Sequence, residues 1–250
     1  MSIQRIPTGM PEMDELLDGG FPSDAMILLT GNAGAGKTIF SSQFLNNCAI
    51  KYGTPGVYAC LAETKECFLR NMKDFDLDFE RLEHEKRVKI LCLPVSKEAG
   101  VQTNLNKIME TMSSLNAKVL VIDSFSAIAM ALGQTIDIRV MAHLLYSFIK
   151  RNNCLCILIV DKPRVSLSSF SGGEEIAEFI ADGIITFEMY IDDSGVLRRR
   201  LRILKMRGAN HSKVAHSYTI GSEGFMFLPP GGGGGTRARD SARIKSDVGA

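Results

Sequence analysis

The sequence has almost no net charge: 29 Lys and Arg oppose 28 Asp and Glu, leaving +1 at neutral pH. A total this close to zero gives no electrostatic case for a nucleic-acid or membrane partner, although a local basic groove is compatible with it. No apolar run approaches 18 residues, so no helix is expected to span a membrane. No basic-then-apolar leader opens the chain, and a signal peptide is not expected. No CxxC pair occurs among the six cysteines, Cys48, Cys60, Cys67, Cys92, Cys154 and Cys156. Several sit in apolar strand-like runs such as "VYACLA" and "CLCILIV", the pattern of small buried hydrophobes in a reducing cytoplasm rather than of metal ligands or a redox pair. No internal repeat is visible. A cytoplasmic protein is expected.

What is present suffices for a full core, with 45% hydrophobic and 23% charged residues over 250 positions. "AMILLT", "GVYACLA", "VKILCL", "KVLVID" and "CLCILIV" are apolar throughout. Helical patterns separate them at 38–52, around Phe68, Leu69, Met72 and Phe75, at 104–116 and at 138–151. Such strands, alternating with helices, predict a parallel sheet covered on both faces. Past Asp182 the pattern changes. "DGIITFEMYI" and "VLRRRLRILKMR" flank "DDSG", a hairpin turn signal, and two more short strands end at "FMFLP". The expected class is α/β: a mostly parallel sheet flanked by helices, with antiparallel C-terminal strands. Residues 1–229 read as one domain and 230–250, Gly-rich and basic, as a flexible tail.

One stretch carries chemistry on its face. Gly31, Asn32, Ala33, Gly34, Ala35, Gly36, Lys37 and Thr38, followed by Ile39, fit G-x-x-x-x-G-K-[ST] between an apolar strand and a helix. The glycines let the backbone wrap close so that its N–H groups point at phosphate oxygens, and the helix adds its positive end. Lys37 would reach the β- and γ-phosphates of ATP, and the Thr38 hydroxyl would complete a Mg2+ shell. A strand-end carboxylate should stand on the metal side, and Asp123 follows the apolar run "VLVI". Asp161 and Lys162 end the next strand along; a sensor of the γ-phosphate and a solvated loop start are both open for them.

Together these residues resemble the RecA/RadA-like P-loop ATPases and, within them, the KaiC family. The similarity runs from "IPTGMPEMDELLDGGFP" through "FMFLP". The lead-in is similar to T-G-x-x-x-x-D-x-x-x-x-G-G-x-P. "GVYACLAETKECFLRNMKDFDLD" resembles the strand and helix carrying the family's catalytic glutamates. "ILKMRGANHSK" resembles the K-x-R-G-x-x-H segment that members insert into a neighbouring subunit's active site. The resemblance implies a RecA-like core binding ATP and Mg2+, with Lys205, Met206, Arg207 and His211 at the nucleotide and a homo-oligomer, expected as a hexameric ring. Lys205 and Arg207 have a physical reading of their own: two apart on a strand, they project to one face, where paired cations suit developing phosphoryl charge. The alternative, a basic edge strand discouraging aggregation, accounts for Arg198, Arg200 and Arg202.

The sequence departs from the family at "LAET". Ala62 stands where the first of two adjacent glutamates is expected, and Glu63 retains the second. One carboxylate is enough to deprotonate a water if it points at the γ-phosphate. Slow hydrolysis with Glu63, Lys205 and Arg207 as the catalytic set is therefore expected. A nucleotide-binding scaffold with little turnover, autophosphorylation and a DNA-binding recombinase paralogue are the other readings. The last has only Lys162 and Arg164 of "KPRVSLSSFS" in its support.

Overall fold

A computed structural model describes residues 3–94, 98–133, 135–161 and 180–229. The 230–250 tail and the Lys162–Ser171 segment lie outside the described residues. The lead-in forms β1 (Arg5–Ile6), α1 (Pro11–Leu16) and β2 (Phe21–Pro22). The apolar runs and the helices between them follow as β3 (Met26–Gly31), α2 (Lys37–Lys51), β4 (Gly56–Cys60), α3 (Lys65–Lys73), α4 (Phe79–His84), β5 (Val88–Cys92), α5 (Glu98–Ser114), β6 (Val119–Asp123), α6 (Phe125–Leu132), α7 (Thr135–Asn152) and β7 (Leu155–Asp161). The C-terminal strands are β8 (Gly183–Ile191), β9 (Leu197–Met206), β10 (His216–Gly221) and β11 (Gly224–Phe227).

One nine-stranded sheet organises them in the order β11-β10-β9-β8-β3-β7-β6-β4-β5. From β8 to β5 every neighbouring pair is parallel, while β9, β10 and β11 add antiparallel. The central strand β3 is buried at every position because its alternating side chains enter two different core layers. Ile27 and Leu29 share one core layer with Phe40 and Phe44 of α2, Phe68 of α3 and Phe79 of α4. Met26 and Leu28 share the other layer with Leu105 of α5, Phe125 of α6 and Leu145 of α7. Among the described residues, no helix is long and apolar enough to cross a membrane.

The helix after the phosphate loop is clamped from outside as well as by the sheet. Asn47 of α2 donates to the Thr8 carbonyl at 3.1 Å, and Lys51 to that of Gly9 at 2.6 Å. The Thr8 N–H in turn donates to Asp14 at 2.6 Å. A Cβ on Gly9, whose φ is +71°, would lie 2.7 Å from Asn47 Cβ. The Thr8, Gly9 and Asp14 pattern therefore has a mechanical meaning: it docks the lead-in on α2. On the other flank Gln43 exchanges two hydrogen bonds with the Phe225 backbone, at 2.7 and 3.1 Å. Of the polar residues buried on this helix, Asn47 serves the clamp and Ser41 donates to the Thr38 carbonyl at 3.0 Å, whereas Ser42 Oγ and Asn46 Oδ1 have no hydrogen-bond partner among the described residues.

Candidate active site

The sheet register sets the loop. Gly31 lies opposite Asp161 on one side and Phe187 on the other. The chain then turns through 32–36 and enters α2 at Lys37. Gly36 makes that turn with φ +93°, a conformation that favours glycine, and a Cβ there would push the Ile220 side-chain tip, 2.2 Å away, aside. No side chain caps α2, which leaves its first N–H groups free for an anion. The Tyr218 hydroxyl donates to the Ala35 carbonyl at 2.6 Å, fastening the loop to β10. A cavity of about 310 Å³ opens over it, lined by Ala33, Gly34, Gly36, Lys37, Thr38, Ile39, Asp123 and Asp161.

Lys37 is almost fully buried, and its ammonium meets the carbonyls of Gly31 (2.8 Å) and Asn32 (3.0 Å) and the Asp161 carboxylate (2.9 Å). Thr38 Oγ1 donates to Asp123 Oδ2 at 2.7 Å, and the Tyr58 hydroxyl donates to the same oxygen at 2.8 Å. Burial raises the Asp123 pKa, opposed by the hydrogen bonds from Thr38 and Tyr58. This pair of hard oxygen donors beside the phosphate cradle fits Mg2+ bound through few protein ligands and its own water. Tyr58, inside an apolar strand, has no motif to mark it, and together with Thr38 it holds Asp123 Oδ2.

Glu63 stands apart from the cavity wall. β4 ends at Cys60, and 61–63 are bends, so strand alternation does not decide where Ala62 and Glu63 point. Ala62 is exposed. The half-buried Glu63 accepts a hydrogen bond from Asn71 of α3 at 3.3 Å.

At the far end of the sheet, β9 holds a bulge that strand alternation does not anticipate. Lys205 pairs with Ile184 but Ile203 pairs with Ile185, so Leu204 is an extra residue. Leu201, Ile203 and Met206 consequently all enter the same core layer. Lys205 is shifted to the opposite face, across from Ile184. β9 ends at Met206, and Arg207 lies in the turn beyond it, not on the strand. The two cations still face one neighbourhood: burial first, then the Arg207 charge, lowers the Lys205 pKa. Met206 is buried in the core and pairs with Gly183. His211 Nδ1 lies 2.9 Å from the Ser212 carbonyl, and the Ser212 N–H docks on Leu16.

Asp182 fastens this corner. Its buried carboxylate accepts the Met26 N–H (3.0 Å), Tyr146 Oη (3.4 Å) and Arg207 Nη1 (3.3 Å), and pairs with Lys150 (3.1 Å). Asp182→Ala is expected to cost about 3 kcal/mol in urea unfolding, because it strands the cations and a strand N–H without an acceptor. The cysteines are all free, and burial raises most of their thiols, Cys92 up to about 12. Cys67 and Cys92 are only half-buried, unlike the fully buried hydrophobes expected.

The family described as "ATPase: KaiC" matches residues 6–232. The chain belongs to the KaiC-like ATPase family. Among its KaiC-like relatives is a UPF0273 protein of Thermotoga maritima, 31% identical over 247 residues that cover 93% of this chain and 99% of that one. The circadian clock oscillator protein KaiC of Prochlorococcus marinus is 26% identical over 99% of this chain, which spans half the length of that relative. The crystal structure of a KaiC-like protein from Pyrococcus horikoshii superposes with a TM-score of 0.80 at 35% identity, covering 91% of this chain and all of that one. Membership in this family supports an ATP-binding protein with a RecA-like core.

Proposed function

We propose that the chain is a slow ATPase acting as a head-to-tail homo-oligomer, with ATP held by the phosphate loop of one copy and covered by Lys205 and Arg207 of the next. The observation that carries this reading is the position of the two cations. Arg207 bonds to Asp182, which holds the N–H of Met26 at the start of β3. The loop leaves the other end of β3, about 16 Å of strand away. Lys205, across from Ile184 and so level with Leu28, stands two strands over and about 10 Å of strand from that loop; a nucleotide role for the pair therefore calls for a second copy. A six-membered ring is the expected closure, and the expected location is the cytoplasm. Residues 1–229 would form the ATPase domain, with 230–250 as its tail.

In this reading, the loop N–H groups and Lys37 grip the β- and γ-phosphates while Thr38 and Asp123 hold Mg2+. The metal, when bound, supplies charge neutralisation across the phosphates. Lys205 and Arg207 meet the charge that develops on the transferred group, and the His211 turn carries that segment. Glu63 is the general base for the attacking water once it leaves Asn71. Its tie to Asn71, together with Ala62, favours slow turnover, and a scaffold with little hydrolysis is the second reading.

Glu63→Gln is expected to lower phosphate release about 100-fold while leaving ATP affinity unchanged, since the amide keeps shape but cannot take the proton. The companion change Ala62→Glu should raise turnover. Unchanged turnover in Glu63→Gln would place the base elsewhere. Phosphate release measured with and without single-stranded DNA tests the recombinase alternative.

A further inference from the structure

Asp161 takes no part in the proposed function, yet its carboxylate lines the phosphate cavity. Lys37 has three N–H donors, and the geometry uses all of them: two on the carbonyls of Gly31 and Asn32, the third on Asp161. The partners are unequal. Lys37 is 5% exposed and Asp161 is 50% exposed. The Asp161 backbone is pinned, by register opposite Gly31 and by its N–H to Ser126 Oγ at 3.0 Å, while its side chain borders open solvent. An incoming phosphate that needs the lysine must replace one acceptor. The two carbonyls are part of the loop itself, so the replaceable one is the carboxylate.

The charge balance points the same way. One ammonium faces two carboxylates, Asp123 and Asp161, in a single cavity. A polyphosphate without metal enters a site already negative, and Mg2+ reverses that balance.

We infer that Asp161 is a stand-in for phosphate: it neutralises Lys37 in the empty cradle, is displaced by the γ-phosphate, and makes tight ATP binding conditional on Mg2+. The inference deepens the ATP-site reading and rests on it. Asp161 is thus a specificity-determining residue that separates ATP from ADP and metal-bound from metal-free nucleotide. ADP, which lacks the γ-phosphate, leaves room for the carboxylate to stay near the lysine.

The test is isothermal titration of the full chain and of Asp161→Asn with ATP and with ADP, each with Mg2+ and with EDTA. The variant should bind metal-free ATP about tenfold or more tightly than the parent, and the gain should shrink to about threefold or less with Mg2+. ADP affinity should change less than ATP affinity. Thermal unfolding gives a second readout: the empty variant should melt earlier, because a buried ammonium has lost its counter-charge, and saturating Mg-ATP should close the gap. Weaker Mg-ATP binding in Asp161→Asn would overturn the inference, since it would make the carboxylate a ligand of the bound state. An equal gain with and without Mg2+ would overturn it as well. Absence of ATP binding by the parent would overturn the ATP-site reading and the inference together, whereas normal parent binding with an unaltered variant overturns the inference alone.

Discussion

Replacing Lys37 by alanine is expected to weaken ATP binding by a factor of about 1,000 or more, a loss of several kcal/mol, because a desolvated polyphosphate loses its central counter-charge. The size of the effect follows from the surroundings of the ammonium. Its burial means that water cannot replace it, and its removal leaves the carbonyls of Gly31 and Asn32 beside the carboxylates of Asp123 and Asp161. The cavity then repels the ligand that it otherwise attracts. The fold should survive, since α2 is anchored by Asn47, Lys51 and Gln43 rather than by Lys37. Titration with Mg-ATP, alongside a urea unfolding curve for each protein, separates lost binding from lost structure. Equal ATP affinity in parent and variant would remove the phosphate-loop assignment.

The parts of this molecule legible in the sequence are those where one local signal suffices. Strands buried on both faces announce themselves as unbroken apolar runs, and β3, β4, β6 and β7 are of this kind. The phosphate loop is legible because its backbone needs glycine at fixed positions. Elements that depend on a distant partner are not. α6 follows Asp123 after the single residue Ser124 and is mostly apolar, so no helical period marks it. In "LRILKMR" the adjacent Ile203 and Leu204 interrupt the alternation, but that an extra residue sits there is settled only by the pairing of Ile203 with Ile185 and of Lys205 with Ile184. Tyr58, Asn71 and Asp182 each act through a hydrogen bond to a residue remote in sequence or on another element. Such a role belongs to the fold and cannot be read from a residue type at one position.

The assembly prediction joins the two ends of the sheet. Changing Lys205 and Arg207 together to alanine should leave the fold intact, because Lys205 is not a core residue and Arg207 is more than half exposed. Asp182 keeps Lys150 and the Met26 N–H when Arg207 is gone, so its charge remains compensated. Phosphate release should nonetheless fall by a factor of about 1,000, the scale associated with a cation supplied to a transferring phosphoryl group. ATP should strengthen the oligomer of the parent and do so less in the double variant, since nucleotide bridging two copies binds the assembled form preferentially. The decisive measurement mixes the double variant with Lys37→Ala chains, each inactive alone. At a mixed contact the double variant contributes an intact phosphate loop, and the Lys37→Ala chain contributes an intact pair of cations. In an equal, random mixture about a quarter of directed contacts combine the two intact halves. Turnover should therefore recover to roughly that fraction of the parent rate. Recovery that depends on mixing ratio and tracks the appearance of mixed oligomers by size would fix the trans arrangement. Mixed oligomers without recovery would show that these cations do not act across the contact and would overturn the trans arrangement.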